Sequence, residues 1–269
     1  MPRAYYARAA IEEFWSEHWG RHSVDALLAL ARISPLTTLV TDALPRDGCV
    51  LEAGCGLGQY VILLRERGWR AVGVDWSLEA LRACRRVASV PLAASELRTL
   101  AIRDASVAAY MSLGVVEHDP AGPEVMLREA YRVLRPGGRL LLSVPYLNGV
   151  RRVFAPYVGW RNRRIRAGGG EFYQFAFTLT EIRRAFEASG FEVRGACPYD
   201  PARVLRHALR SIGVAGRRAP RTGLRTDASR APTPPIASGA LAAAARRLLY
   251  TRPVLALLGH MILVTAVKR

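Results

Sequence analysis

Three glycines stand where this sequence could do chemistry. In "VLEAGCGLGQYVILL", Val50 to Leu64, the residues Gly54, Gly56 and Gly58 interrupt an apolar run. Glycine inside such a run costs stability, so the spacing G-x-G-x-G needs a reason. Glycines in the turn that leaves a strand permit positive φ and present bare backbone to a ligand, and a nucleotide-type ligand is the leading explanation. The dinucleotide pattern G-x-G-x-x-G is not met, because Gln59 holds the place of its third glycine. Asp75 ends the next apolar run, where a carboxylate can accept both hydroxyl protons of a ribose. The competing reading is that the glycines only tighten a turn while Asp75 caps the helix that follows.

Those residues need a frame, and the hydrophobic rhythm supplies one. Ile11, Trp15 and Trp19 fall on one helix face that ends at Gly20, Ser23 caps a second helix, and Pro35 and Pro45 bracket a third. The first 45 residues therefore read as helical. From Cys49 strands and helices alternate: "CVLEA", "WRAVGVD", "SVPLAA", "VAAYMSLGVV" and "RLLLSVP" as strands, with "QYVILLRERG", "SLEALRACRR" and "PEVMLREAYRVL" as helices. A helix capped by Thr180 runs to Gly190, and "FEVRGAC" and "HMILVTAVKR" complete the strands. Near-continuous apolar strands alternating with helices predict an α/β fold, with a doubly wound, mostly parallel sheet covered on both faces. In such sheets ligands bind outside the carboxyl ends of the strands, where the strand order reverses.

Charge divides the chain more sharply than its pattern does. The formal net charge is +17, yet it resides in two regions. From Pro201 onward there are thirteen basic residues against the single acid Asp227, and Tyr146 to Gly170 adds six arginines and no acid. The rest is nearly neutral. "RAPRTGLRTDASRAPTPPIASG" has almost no apolar content and reads as a mobile loop. Four scattered cysteines lack metal-ligand spacing, so no metal is expected and reduced thiols in a cytoplasmic protein are the reading. Glu12 and Glu13 stand where an export signal needs apolar residues, and the apolar run near the end is too short to span a bilayer. The expected organisation is a helical cap over 1–45, a core over 46–200 and 259–269, and a basic, partly mobile lid over 201–258.

Taken together and in order, "LEAGCGLG", "GVDWSLEAL", "SLGVVEH" and "EAYRVLRPGGRLLLSVPY" resemble the class I S-adenosylmethionine-dependent methyltransferases, in particular the ubiquinone- and menaquinone-type small-molecule group. The resemblance covers about Val50 to Tyr146 strongly and the later segments loosely. It implies a seven-stranded Rossmann-like sheet, and S-adenosylmethionine as cofactor. It further implies cofactor contacts from Glu52, Ala53, Gly54, Cys55, Gly56 and Gly58, with the loop backbone holding the methionine part. Asp75 would take the ribose hydroxyls, Trp76 would lie on the adenine face, and Glu96 and Leu97 would stand near the adenine. Leu113 and Gly114 would line the cofactor at the end of the fourth strand. Where the family often opens that strand with Phe-Asp, this chain has Val107-Ala108, a structural substitution at the end away from the cofactor.

Within that resemblance, His118 is the titratable group best placed to take a proton from an acceptor, and Tyr146 is a candidate for the acceptor pocket. A histidine that only bonds loop backbone is the competing reading. "LGVVEHDP" lacks the Asn/Asp-Pro-Pro-aromatic tetrapeptide of amino-group methylators, so transfer to O or C of a small-molecule or lipid-linked metabolite is expected. Arginines interleaved with Phe154, Tyr157 and Trp160 would suit an anionic membrane surface, a phosphate-bearing substrate or, less well, nucleic acid. Two rivals remain at this point: an RNA methyltransferase using the basic insertion, and a non-catalytic cofactor-binding scaffold.

Overall fold

The computed structural model describes residues 2–201, 203 and 247–269. Most of the basic lid expected over 201–258, with its Pro- and Arg-rich loop, lies outside the described residues. In chain order the elements are β1 (Arg3–Ala7), α1 (Glu12–Gly20), α2 (Val24–Ile33), α3 (Pro35–Ala43), β2 (Cys49–Ala53), α4 (Gln59–Glu66), β3 (Arg70–Asp75), α5 (Leu78–Val87) and β4 (Leu92–Ala94). There follow β5 (Val107–Leu113), a 3₁₀ turn at Val116–His118, α6 (Glu124–Val133), β6 (Leu134–Pro145), α7 (Gly149–Val153) and α8 (Ala155–Ala167). The chain continues through β7 (Glu171–Ala176), α9 (Leu179–Ala188), β8 (Phe191–Tyr199), α10 (Arg252–Leu258) and β9 (Met261–Lys268).

Seven strands form one sheet in the order β4-β3-β2-β5-β6-β9-β8. The first five pair in parallel, and β9 runs antiparallel between β6 and β8. Val107 to Ser112 are buried without a break, as a parallel strand covered on both faces requires. One apolar cluster packs α2 and α4 against the sheet, and a second packs α6 and α9 on the opposite face. The order reverses between β2 and β5, so their carboxyl ends flank the switch point. A ligand is expected in that crevice.

Two expectations are corrected. The first 45 residues are not wholly helical: Arg3–Ala7 is a strand paired antiparallel with β7 in a separate two-stranded ribbon. The partner strands lie more than a hundred and sixty residues apart, so no local pattern announces their pairing. The cap of α9 is Thr178 and not Thr180, because only Thr178 stands three residues before Glu181. The Thr178 hydroxyl accepts the Glu181 N–H at 3.2 Å and the Glu181 carboxylate accepts the Thr178 N–H at 2.9 Å, closing a reciprocal capping box.

Candidate active site

The carboxyl ends of β2 and β3 are tied together by backbone. Gly54 and Cys55 N–H both donate to the Val74 carbonyl, at 2.8 and 3.0 Å. Gly56 N–H then donates to Asp75 Oδ2 at 2.7 Å, and Ser77 N–H to Oδ1 at 2.9 Å. The three glycines adopt φ of +78°, +52° and +70°, a region that side chains disfavour. Each is also crowded by another element. A Cβ would stand 2.5 Å from Val115 at Gly54, 2.6 Å from the Trp19 indole at Gly56, and 2.6 Å from Cys84 Sγ at Gly58. Tight turning therefore accounts for part of the glycine pattern, and Asp75 does anchor the next turn. Its carboxylate keeps lone-pair capacity for a further donor.

Glu52 lies beneath this loop, buried, with Oε2 lacking any hydrogen-bond partner. Burial, reinforced by the like charge of Asp75, holds its carboxyl well above the usual range. Burial also raises Asp75, against N–H bonds from Ser77, Gly56 and Trp76. Ala53 and Cys55 turn their side chains into the protein and leave only main chain for a ligand. Trp76 is half-exposed beside Asp75. Ser95 N–H donates to the Asp75 carbonyl at 3.1 Å, which brings the Glu96 loop to the same edge; Glu96 is exposed and Leu97 is buried.

Across the switch point, Leu113 ends β5 and Gly114 follows it at φ +77°. The 3₁₀ turn then presents Glu117 and His118. His118 Nδ1 lies 2.7 Å from the Tyr173 carbonyl of β7. A carbonyl only accepts, so Nδ1 carries the proton and Nε2 holds the basic lone pair. Trp15 and Tyr173 pack edge-on against the imidazole, at centroid distances of 4.9 and 5.0 Å. Burial lowers its pKa to about 4, the Tyr173 bond opposes this, and nearby His18 adds to it. His118 is thus neutral at physiological pH. Glu117 is buried with Oε2 unpartnered, and burial raises its pKa to about 8.

The sequence reading missed what holds this turn. Arg98 makes a paired contact to buried Asp119, Nε to Oδ2 at 3.0 Å and Nη2 to Oδ1 at 2.8 Å, which joins the Glu96 loop to the His118 turn. Nothing local marks that pair. Tyr173 was also missed, although the aromatic run "EFYQFAF" was a readable strand signal. Phe14, Trp15, His18 and Trp19 of α1 form an aromatic wall over the glycine loop and His118. Tyr146 follows β6 directly, half-buried against the second apolar cluster, its N–H bonded to the His260 carbonyl at 3.0 Å. Val107 and Ala108 lie buried at the far end of β5, as expected. Among the described residues no cluster of His, Cys, Asp and Glu is placed to hold a metal.

Comparison with known proteins decides the family. Residues 51–142 match the family described as a methyltransferase domain. Residues 51–142 are thus a methyltransferase domain of the class I S-adenosylmethionine-dependent type. The chain is 33% identical over 147 residues to a probable S-adenosylmethionine-dependent methyltransferase of Mycolicibacterium smegmatis, covering 54% of this chain and 52% of that protein. It is 29% identical over 170 residues to the malonyl-[acyl-carrier protein] O-methyltransferase of Serratia marcescens, covering 61% and 63%. The chain thus spans about half the length of the Mycolicibacterium relative. The fold matches a SAM-dependent methyltransferase from Archaeoglobus fulgidus with a TM-score of 0.56 at 16% identity, over 96% of this chain and 100% of that one.

S-adenosylmethionine is the cofactor of this family, and the groups present fit it. The unpartnered Glu52 Oε2 and the remaining acceptor capacity of Asp75 suit its amino and hydroxyl donors. The side-chain-free loop suits close approach, and the exposed Trp76 indole offers an aromatic face.

Proposed function

We propose that the chain transfers the methyl group of S-adenosylmethionine to an oxygen or carbon of a small-molecule or lipid-linked acceptor. The observation that carries this reading is His118, oriented through Nδ1 by Tyr173 and left with a basic Nε2 at the end of β5. The cofactor, when bound, supplies an electrophilic methyl carbon.

The chain's own residues have distinct tasks in this reading. Main chain at Gly54–Gly58, with Glu52 and Asp75, holds the cofactor, while Trp76 and the Glu96–Leu97 loop take its adenine end. Leu113 and Gly114 line the cofactor at the carboxyl end of β5. His118 Nε2 accepts the acceptor's proton as the new bond forms, and Tyr146 belongs to the wall beyond it. The aromatic wall of α1 excludes water from that step. An oxygen acceptor is also what the name of the Serratia relative specifies for that protein.

The test is incubation with methyl-labelled cofactor and a cell extract separated into lipid, RNA and small-molecule fractions. Label in the lipid or small-molecule fraction, lost on His118→Ala, supports the reading. Label confined to RNA overturns the acceptor class. Tight cofactor binding with no label anywhere leaves a non-catalytic scaffold.

A further inference from the structure

One surface of this molecule is unlike the rest. The segment between β6 and β7 folds into α7 and α8, and its six arginines have no acid among them. Asn162 fixes the inner face of α8 by donating to the Ala4 carbonyl at 2.7 Å, with Val158 and Ile165 half-buried beside it. Away from that face Tyr157, Trp160 and Arg164 stand together at helical spacing, and Phe154 caps the N-terminal end of the helix. Phe154 is 57% exposed, Tyr157 55% and Trp160 45%. Tyr157 and Trp160 lie 5.7 Å apart between ring centroids, and the Arg164 guanidinium stands 5.0 Å over the Trp160 ring.

The patch continues past α8. Val153 of α7 is 75% exposed. Leu257 of α10 is half-exposed and packs on Gly149, where a Cβ would meet its Cδ1 at 2.6 Å. The same two helices carry Arg152, Arg161, Arg163 and Arg164, all exposed, and among the described residues no carboxylate forms a salt bridge with them. Arginines without carboxylate partners, interleaved with exposed aliphatic and aromatic side chains, are the composition of a helix that lies in a membrane interface. Aromatic and arginine side chains would also serve stacking on RNA, but Val153 and Leu257 gain nothing from phosphate or bases. They do gain from the acyl boundary of a bilayer.

We propose that the outer face of α7 and α8, extended by Leu257, docks the protein on anionic phospholipid. The arginines meet lipid phosphates, and Val153, Phe154 and Trp160 enter the headgroup layer. α7 begins just beyond the carboxyl end of β6, the same end of the sheet that carries the His118 turn, so a docked bilayer faces the acceptor side. The proposal goes beyond methyl transfer and does not require it.

The test uses the full chain and vesicles, without turnover. Co-sedimentation with phosphatidylglycerol–phosphatidylcholine vesicles is expected, weakened about tenfold or more on pure phosphatidylcholine and by added salt. The segment 204–246 is also basic, so the substitutions decide the matter. Phe154→Ser with Trp160→Ser, and separately Arg161→Glu with Arg164→Glu, should each lower affinity for anionic vesicles by about tenfold. Circular dichroism checks that both variants stay folded. Brominated lipid should quench tryptophan emission, and Trp160→Phe should remove most of that quenching, a readout that survives if a double variant misfolds. The proposal is overturned by no vesicle binding, by binding that neither pair changes, by quenching independent of Trp160, or by binding to RNA alone.

Discussion

The indole of Trp19 lies directly on Gly56: a Cβ built on that glycine would stand 2.6 Å from Cζ2 of the ring. Position 56 thus carries two demands, a φ of +52° and an empty side-chain volume. Gly56→Ala violates both, and should cost about 2–4 kcal/mol of stability and abolish cofactor binding by calorimetry. In a Trp19→Ala background only the conformational strain of about 1–2 kcal/mol should remain. Equal costs in both backgrounds would show that the ring does not rest on the glycine.

Asp75 holds two turns at once, through Gly56 and Ser77 N–H. Asp75→Ala leaves two buried donors without acceptors, for a loss of about 2–4 kcal/mol measured by denaturant unfolding. Cofactor affinity should fall by more than about tenfold in the same variant. A stability loss with affinity intact would reduce Asp75 to a turn anchor.

His118→Ala should bind cofactor normally and turn over slowly, by about a hundredfold or more. The wild-type rate should be flat from neutral pH downward and fall with a midpoint near 4, since burial lowers the imidazole to about 4. A midpoint at the ordinary histidine value of 6.5 would mean that the ring is solvated in the working enzyme.

Glu117 makes an opposite contribution to stability. Its carboxyl ionises near 4.5 in the unfolded chain and at about 8 when folded. Between those values the unfolded chain releases a proton that the folded protein keeps, so stability falls as pH rises through the window. Glu117→Gln should therefore gain on the wild type as pH climbs from 5 to 8 in thermal unfolding series, the order of a few kcal/mol in all. A constant difference across that range would show that the carboxyl is already solvated or paired.

Much of this fold was legible because its signals are local. The apolar strands from Cys49 to Pro145 need burial on both faces, and Gly54–Gly58 with Asp75 mark the turn and its partner within 25 residues. Ser23 as the cap of α2 was equally plain, its hydroxyl accepting the Ala26 N–H at 3.1 Å. The Thr178 cap was misplaced by two residues because both threonines are local candidates, and only the distance to Glu181 separates them.

By itself, then, the amino-acid order determined the strand–helix alternation, the bare loop, the carboxylate at its edge and the concentration of arginine in two regions. Tertiary structure alone decided that β1 joins β7, that the Tyr173 carbonyl selects the tautomer of His118, and that Arg98 clamps Asp119. The reason is physical: periodicity and capping act over a few neighbouring residues, whereas a hydrogen bond between distant segments depends on how the whole chain closes its core. The same closure leaves Phe154, Tyr157 and Trp160 outside, on a face that composition had shown to be basic and aromatic but could not place on the surface.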